Sequence, residues 1–215
     1  MVFNLPNSTI VNRVIPKNSF EDYTTSKQKR SFTELVEKIR WLNKLSRETI
    51  NLSGKEITEI QIFEVTLKKK DDITGVLNVI DRSIPYPIIF VIIFDNEILI
   101  SASQKHINPN SEHLSVIDWT FATGWGTKHR CALNLQQNLD FIWSDFCKQL
   151  SGRNSDKLSV KELIKFEQMR QELNTEIKRL RNAIKAAKQY NNKVSLNIEL
   201  QKKEKELLAL ETQLL

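Results

Sequence analysis

The stretch "EIQIFEVTLKKKDDITGVLNVIDRSIPYPIIFVIIF", residues 59–94, carries the clearest secondary-structure signals in the chain. Residues 59–70 predict a long strand with a charged end. Residues 71–84 predict a short helix, because their apolar side chains recur at helical spacing. The run "PIIFVIIF" at 87–94 is apolar on both faces, so it predicts a central strand that is covered on both sides. A sheet therefore forms the middle of the predicted domain.

The segments that follow predict further antiparallel pairing. Asp95-Asn96 is typical of a two-residue hairpin turn, and residues 97–103 predict the returning strand. Residues 113–121 predict one more strand, and residues 135–150 predict a helix that closes the domain.

The segments that precede the central stretch predict a helix and a strand. Ser31 and Glu34 have the spacing of a capping box, which predicts a helix over 31–42. Residues 48–53 alternate and predict a strand. We therefore expect an α+β domain over residues 1–150, with flanking helices and a mixed, largely antiparallel sheet of four or five strands. A linker is predicted at 151–158.

The charge of the chain is unevenly distributed. The 215 residues carry a net charge of +6, but residues 1–150 hold 18 basic against 17 acidic residues, while residues 151–215 hold 14 against 9. No apolar run approaches the roughly 20 residues that span a bilayer, and the first 17 residues lack the pattern of a secretory signal. The two cysteines, Cys131 and Cys147, suit a reducing compartment. These features predict a cytoplasmic protein without membrane association.

Residues 159–215 predict helical structure of the coiled-coil type. Apolar residues recur there at steps of three and four, but the seam before residue 188 is not in phase with the seam after residue 194. Asn191 and Asn192 lie at this phase break, and asparagine tolerates the conformations found at helix ends. An antiparallel hairpin is the favoured interpretation, and one continuous helix with a stutter is the alternative.

Basic residues are concentrated within this helical region. Residues 177–198 contain no acidic residue and hold six basic ones: Lys178, Arg179, Arg181, Lys185, Lys188 and Lys193. Such a cluster suits a nucleic-acid backbone or an acidic protein surface, and a solvated helix face is the alternative. A third interpretation is a homodimer formed through the helical seam.

The strand at 59–70 also invites comparison with metal-dependent nucleases. In enzymes of the restriction type, two carboxylates hold Mg²⁺ while a lysine on the same strand assists the reaction. Glu64 and Lys68 would be these residues here, with Glu56 or Glu59 as the second carboxylate. Thr66 occupies the position where an acid is expected, so the alternative is a strand edge with solvated charges.

The other residues considered for a functional site are histidines, glycines and one tryptophan. The histidines at 106, 113 and 129 lack metal-ligand spacing, and no glycine-rich phosphate loop occurs, so no metal site and no cofactor are predicted. Trp125, between Gly124 and Gly126, is a further candidate for stacking on a base or on a partner.

Five segments together resemble an uncharacterised prokaryotic family of unknown function, the family numbered 4391. They are "LPNSTIVNRVIPKNSF", "WLNKLSRETINL", "EIQIFEVTLKKK", "IDRSIPYPIIFVI" and "KQYNNKVSLNIEL". The resemblance implies a basic, aromatic and asparagine element before the final helix, which corresponds to Lys188, Tyr190, Asn191 and Lys193. It also implies genes near SNF2-type helicases and DNA methyltransferases, in restriction-like or phage-defence settings, and it supplies no catalytic residues.

These observations predict a non-enzymatic accessory or adaptor protein. Its expected partner is a helicase or methyltransferase, with DNA as a second ligand of the basic helices. A divergent nuclease that uses Glu64 and Lys68, and a structural homodimer, are the alternatives.

Overall fold

The computed structural model describes residues 2–108, 114–152 and 158–212. The chain divides into two compact units, residues 1–154 and residues 155–215. Within the described residues the first unit holds a six-stranded sheet and four α-helices, and the second unit holds two helices. Among the helices of these ranges, none has both the length and the apolar character required to cross a membrane.

The elements of the described residues are as follows. The strands are β1 Ile10–Ile15, β2 Val36–Ser46, β3 Glu59–Leu67, β4 Ile88–Phe94, β5 Glu97–Ile107 and β6 Ser115–Ala122. The α-helices are α1 Ser26–Leu35, α2 Arg47–Ile50, α3 Thr74–Ser83, α4 Leu139–Ser151, α5 Val160–Ala186 and α6 Tyr190–Thr212. Two short 3-10 helices, Asn7–Thr9 and Lys17–Tyr23, flank β1.

The sheet has the order β1-β2-β3-β4-β5-β6, so spatial order follows chain order. All neighbouring strands are antiparallel except β3 and β4, which are parallel and are joined by α3. The predicted α+β class and mixed, largely antiparallel sheet are confirmed. The predicted number of four or five strands was wrong, because the sheet has six.

The first correction concerns residues 31–42, where a helix was predicted. Helix α1 starts earlier, with Thr25 and Gln28 forming the capping box instead of Ser31 and Glu34, and it ends at Leu35. Residues 36–46 form β2. This strand has two register shifts, between Val36 and Lys38 and between Trp41 and Asn43. Because each such irregularity changes the alternation, the apolar residues of β2 recur at the three-residue step of a helix.

The second correction concerns the N-terminal region and residues 48–53. Residues 10–15, where no element was predicted, form the edge strand β1. The predicted strand at 48–53 is instead the short helix α2, which Asn51 ends in the left-handed conformation with φ 55°.

The strands at 59–70 and 87–94 and the helix at 71–84 are confirmed as β3, β4 and α3. The turn at Asp95-Asn96 is confirmed as the link between β4 and β5.

The two faces of the sheet differ in what they meet. Phe63, Val65 and Leu67 of β3 belong to a buried cluster with residues of α1 and α3. The side chain of Glu64 points to the opposite face, because successive side chains of a strand alternate. On that second face, Ile60 and Ile62 are buried.

A carboxylate fixes the start of α4 to the loop before β3. The Asp140 carboxylate accepts hydrogen bonds from the backbone N–H groups of Lys55, Glu56 and Ile57 at 2.5, 3.1 and 2.8 Å. Gly54 lies at the same turn, and a Cβ there would meet the Ile57 carbonyl and the Asp140 carboxylate. The loop is therefore held by a local arrangement that needs both the acid and the glycine.

A buried ion pair lies between α3 and β5. The Lys105 ammonium donates to Asp81 Oδ1 at 2.7 Å, to the Asp81 carbonyl at 2.6 Å and to the Ile84 carbonyl at 2.7 Å. The two side chains are only 3% and 1% exposed. Burial lowers the pKa of Lys105, and the Asp81 carboxylate opposes this shift.

The second unit consists of α5 and α6. Ser159 and Glu162 form a capping box at the start of α5, and these hydrogen bonds lower the pKa of Glu162. The helix ends at Ala186 and α6 begins at Tyr190. The turn predicted at Asn191-Asn192 was therefore misplaced, since the break comes before both asparagines and they lie in the first turn of α6. Of the predicted linker, residues 153–157 lie outside the described residues.

Candidate functional site

The basic segment, residues 177–198, lies at the end of α5, in the break and in the first part of α6. All six of its basic side chains are exposed. Within the described residues 158–212, four of them have no ion-pair partner: Lys178, Lys185, Lys188 and Lys193. These four ammonium groups are available to an anionic ligand.

The two arginines of the basic segment already have partners. Arg179 contacts Glu176 at 2.6 Å, and Arg181 contacts Glu204 of α6 at 2.8 Å. The hydrogen bond to Glu176 raises the pKa of Arg179, and the same contact lowers the pKa of Glu176. Both arginines are therefore partly neutralised by neighbouring carboxylates.

Three basic side chains of the segment share one face of α5. Lys178, Arg181 and Lys185 follow one another at three and four residues, which places them in a row on a helix. With a rise of about 1.5 Å per residue, the row from Lys178 to Lys185 is about 10 Å long. Lys188 lies in the break between the helices, and Lys193 lies in the first turn of α6. The row and these two lysines form one continuous basic segment along the chain.

An apolar stripe accompanies these charges on α6. Tyr190, Val194 and Ile198 are 79%, 41% and 65% exposed. Their spacing of four residues places them on the same side of the helix. Contiguous exposed apolar side chains bordered by polar ones are typical of protein interaction surfaces.

The nuclease candidates Glu64 and Lys68 each contact another residue in the described parts of the chain. Lys68 donates from its ammonium to the Thr33 carbonyl at 2.7 Å, while Glu64 pairs with Arg40 of β2 at 3.7 Å. Glu59 pairs with Lys44 at 3.0 Å. The remaining candidate, Glu56, lies in the loop that Asp140 holds. In the described parts of the chain, no three acidic, histidine or cysteine side chains are grouped so that they could hold a metal ion. The nuclease interpretation stays a prediction without a carboxylate pair to support it.

Trp125 is less accessible for stacking on a base or on a partner than its position between two glycines indicates. Its ring is partly buried against the apolar cluster of the sheet. The Lys70 ammonium lies 5.2 Å from the ring centroid, and it also pairs with Glu97 at 2.6 Å. One face of the indole therefore already takes part in a cation–π contact.

The described histidines have hydrogen-bond partners, and the two cysteine thiols are buried or half-buried. His106 pairs with Asp118 at 2.8 Å, and His129 Nε2 donates to the Ile98 carbonyl at 2.5 Å, whereas His113 lies outside the described residues. Burial raises the pKa of the Cys147 thiol strongly and that of the half-buried Cys131 thiol less. Neither thiol is activated as a nucleophile.

A cleft on the second face of the sheet was not predicted from the sequence. It has a volume of about 730 Å³, and Glu64 and Arg40 line it together with His129. Glu64 was found from the sequence, but as a nuclease candidate and not as the partner of Arg40 in a cleft. Arg40 could not be found in this way, because residues 31–42 read as a helix.

The sheet, its flanking helices and the two C-terminal helices define an α+β protein with a helical second unit. The chain belongs to the family described as Domain of unknown function (DUF4391), whose model matches residues 3–207. The resemblance noted in the sequence is thereby confirmed at the level of the family. No curated protein and no solved structure matches the chain.

Proposed function

We propose that this protein is a non-enzymatic adaptor of a DNA-processing or phage-defence system, and that the basic segment binds DNA and a partner protein. The observation that carries the proposal is the set of exposed lysines that have no ion-pair partner among the described residues. They lie in a segment that has no acid between residues 177 and 198. Lysine side chains bind phosphate groups with release of condensed counterions. A helicase or methyltransferase is the partner that the family resemblance favours.

We further interpret α5 and α6 as an antiparallel coiled-coil hairpin. The Arg181–Glu204 pair joins the last turns of α5 to the second half of α6. A groove lined by Met169 and Leu173 on one side and by Lys203 and Leu210 on the other supports the same arrangement. In such a hairpin the basic segment forms the closed end, and its exposed lysines can contact a DNA backbone.

The apolar stripe supports a protein partner in addition to DNA. Tyr190, Val194 and Ile198 would be covered by an apolar helix face, and the adjacent Lys193 favours a partner with acidic residues around that face. A second copy of the chain is the alternative occupant. Light scattering at micromolar concentration distinguishes the two, because only self-association raises the mass of the isolated protein.

The DNA part of the proposal is tested with a duplex labelled with a fluorophore. Binding is measured by anisotropy at 50 and 200 mM salt. Four phosphate contacts should weaken the affinity about 100-fold over this range. The test variant reverses the four unpaired lysines: Lys178→Glu, Lys185→Glu, Lys188→Glu and Lys193→Glu.

A matched control makes the test specific to the basic segment. It reverses four exposed lysines of the same two helices outside the segment: Lys161→Glu, Lys165→Glu, Lys202→Glu and Lys205→Glu. Both variants have the same net charge. We expect the test variant to lose binding at least tenfold more than the control. Equal losses, or no binding by the unaltered protein at low salt, would contradict the proposal.

A further inference from the structure

The cleft on the sheet is built from side chains of consecutive strands. Arg40 and Leu42 of β2, Glu64 of β3, Ile93 of β4 and Ile98 of β5 line it. Ile93 and Ile98 are direct partners in the β4–β5 hairpin, and Arg40 and Glu64 are direct partners between β2 and β3. The cleft therefore has an apolar wall beside a charged pair. Its volume of about 730 Å³ lies within the usual range for ligand sites of about 300–1,000 Å³.

The charged pair has unused hydrogen-bonding capacity. Arg40 Nε lies 3.7 Å from Glu64 Oε1, and the side chains are 32% and 19% exposed. Among the described residues, this contact is the one polar interaction of either side chain. A guanidinium has five N–H donors and a carboxylate accepts at both oxygens. Because both side chains are partly exposed, water can reach the remaining donors and acceptors, and a ligand in the cleft would replace that water.

The rim of the cleft adds positive charge. Lys128 is exposed there, beside Thr127 and His129. His129 Nε2 donates to the Ile98 carbonyl, so its Nδ1 is the ring nitrogen left for another contact. Among the described residues that line the cleft, Glu64 is the one acid. The balance favours a ligand with an anionic group near the rim.

We infer that the cleft binds a guanine nucleotide. The Watson–Crick edge of guanine carries two adjacent N–H donors, which a carboxylate accepts, and the O6 acceptor lies beside them. N7 follows O6 on the adjoining edge, and an arginine contacts O6 and N7 in the bidentate manner known from DNA recognition. A carboxylate and a guanidinium side by side match the N–H donors and the neighbouring O6 acceptor. Leu42, Ile93 and Ile98 supply the apolar surface for the faces of the base. The phosphate then extends to Lys128 at the rim.

Adenine does not fit the same pair of side chains. Its corresponding edge places a ring-nitrogen acceptor where guanine has an N–H donor, so the Glu64 carboxylate would face an acceptor. The inference therefore predicts discrimination between the two purines, which an unspecific cationic cleft would not give.

The test is isothermal titration of the full chain with GMP, AMP and guanosine, each to about 1 mM. GMP should bind at least tenfold more tightly than AMP. Glu64→Gln should weaken GMP binding about 10- to 100-fold, because one charged acceptor pair is lost. Lys128→Ala should weaken the binding of GMP more than that of guanosine, since only GMP carries the phosphate.

Glu59→Gln is the matched control. Glu59 lies on the same strand and pairs with Lys44 of β2, but it is not part of the cleft. Its change should leave GMP affinity within twofold, and thermal melting establishes that each variant is folded. No binding of GMP by the unaltered protein, equal affinity for AMP, or an equal effect of the two glutamate changes would each overturn the inference.

Discussion

Replacing Lys105 by methionine should strongly destabilise the first unit. The ammonium of Lys105 makes three hydrogen bonds, two of them to Asp81, in a region where both side chains are almost fully buried. Methionine keeps the length of the aliphatic chain but provides neither charge nor donor. Asp81 Oδ2 is already buried without a partner among the described residues, so the carboxylate would lose its main compensation.

The expected magnitude follows from this geometry. Removing one partner of a buried ion pair costs about 3–5 kcal/mol of unfolding free energy. For a unit of about 150 residues, each kcal/mol lowers the melting temperature by about 2–4 °C. Lys105→Met should therefore lower the melting temperature by about 6–20 °C.

Urea denaturation followed by tryptophan fluorescence and circular dichroism measures the change in unfolding free energy. Lys69→Met is the matched control. Lys69 lies 3.4 Å from Asp71, and both side chains are 55% exposed. A surface pair of this kind contributes at most about 1 kcal/mol. If the two methionine variants lost stability equally, the reasoning about the buried pair would be refuted.

A second variant separates the cost of the unpaired Asp81 charge from the cost of altered side-chain packing. Combining Asp81→Asn with Lys105→Met removes the isolated carboxylate, so the double variant should recover part of the stability lost in Lys105→Met. A double variant that is destabilised by the sum of the two single changes would show that the groups do not interact.

The same pair predicts a pH dependence. Burial lowers the pKa of Lys105, so the folded protein releases this proton at a lower pH than the unfolded chain does. Between the two pKa values the unfolded state binds more protons, and the contribution of Lys105 to stability therefore rises with pH. The contribution is lowest below the folded pKa, where Lys105 is charged. The neutral amine above that pKa still donates hydrogen bonds to Asp81 and Ile84, which methionine cannot do, so this rise does not conflict with the loss expected for Lys105→Met. Lys105→Met should lack this alkaline rise relative to the unaltered protein.

Two further predictions concern the loop before β3 and the thiols. Gly54→Ala should cost about 1–3 kcal/mol of unfolding free energy, because its Cβ would meet the Ile57 carbonyl, which is backbone and cannot turn away. Gly124→Ala, where a Cβ meets no atom within 4 Å, is the control, and equal denaturation midpoints would contradict the geometry. In a thiol-reagent titration at pH 8, Cys147 should stay unreacted in the native protein, because burial raises its pKa and excludes the reagent, and Cys131 should react slowly. Both should react in denaturant, and fast native labelling of Cys147 would argue against its burial.

The parts of the fold that could be predicted are those with purely local signals. The apolar run of β4, the turn at Asp95-Asn96 and the stripe of α3 each lie within about ten residues, so the sequence pattern is sufficient to identify them. Asp95 has φ 51°, a conformation that the loop asparagines and aspartates adopt more readily than other residues.

The parts that could not be predicted depend on pairing between distant segments. Strand β2 resembled a helix because its bulges space Val36 and Ile39 three residues apart, and its strand character comes from its position between β1 and β3. The cleft likewise depends on Arg40 and Glu64 being partners across two strands. In contrast, the basic segment could be found, because a charge cluster without acids is a property of the sequence alone.

The sheet in which spatial order equals chain order also bears on how the protein folds. Each strand pairs with the strand that precedes it and the strand that follows it, so contacts within the sheet have a low mean sequence separation. Closing short loops costs less conformational entropy than closing long ones, and a lower contact order correlates with faster folding. During synthesis on the ribosome, the β1–β2–β3 meander can form before the rest of the chain emerges. The parallel β3–β4 pair must wait for the whole of α3, and we therefore expect its formation to limit the rate of sheet assembly.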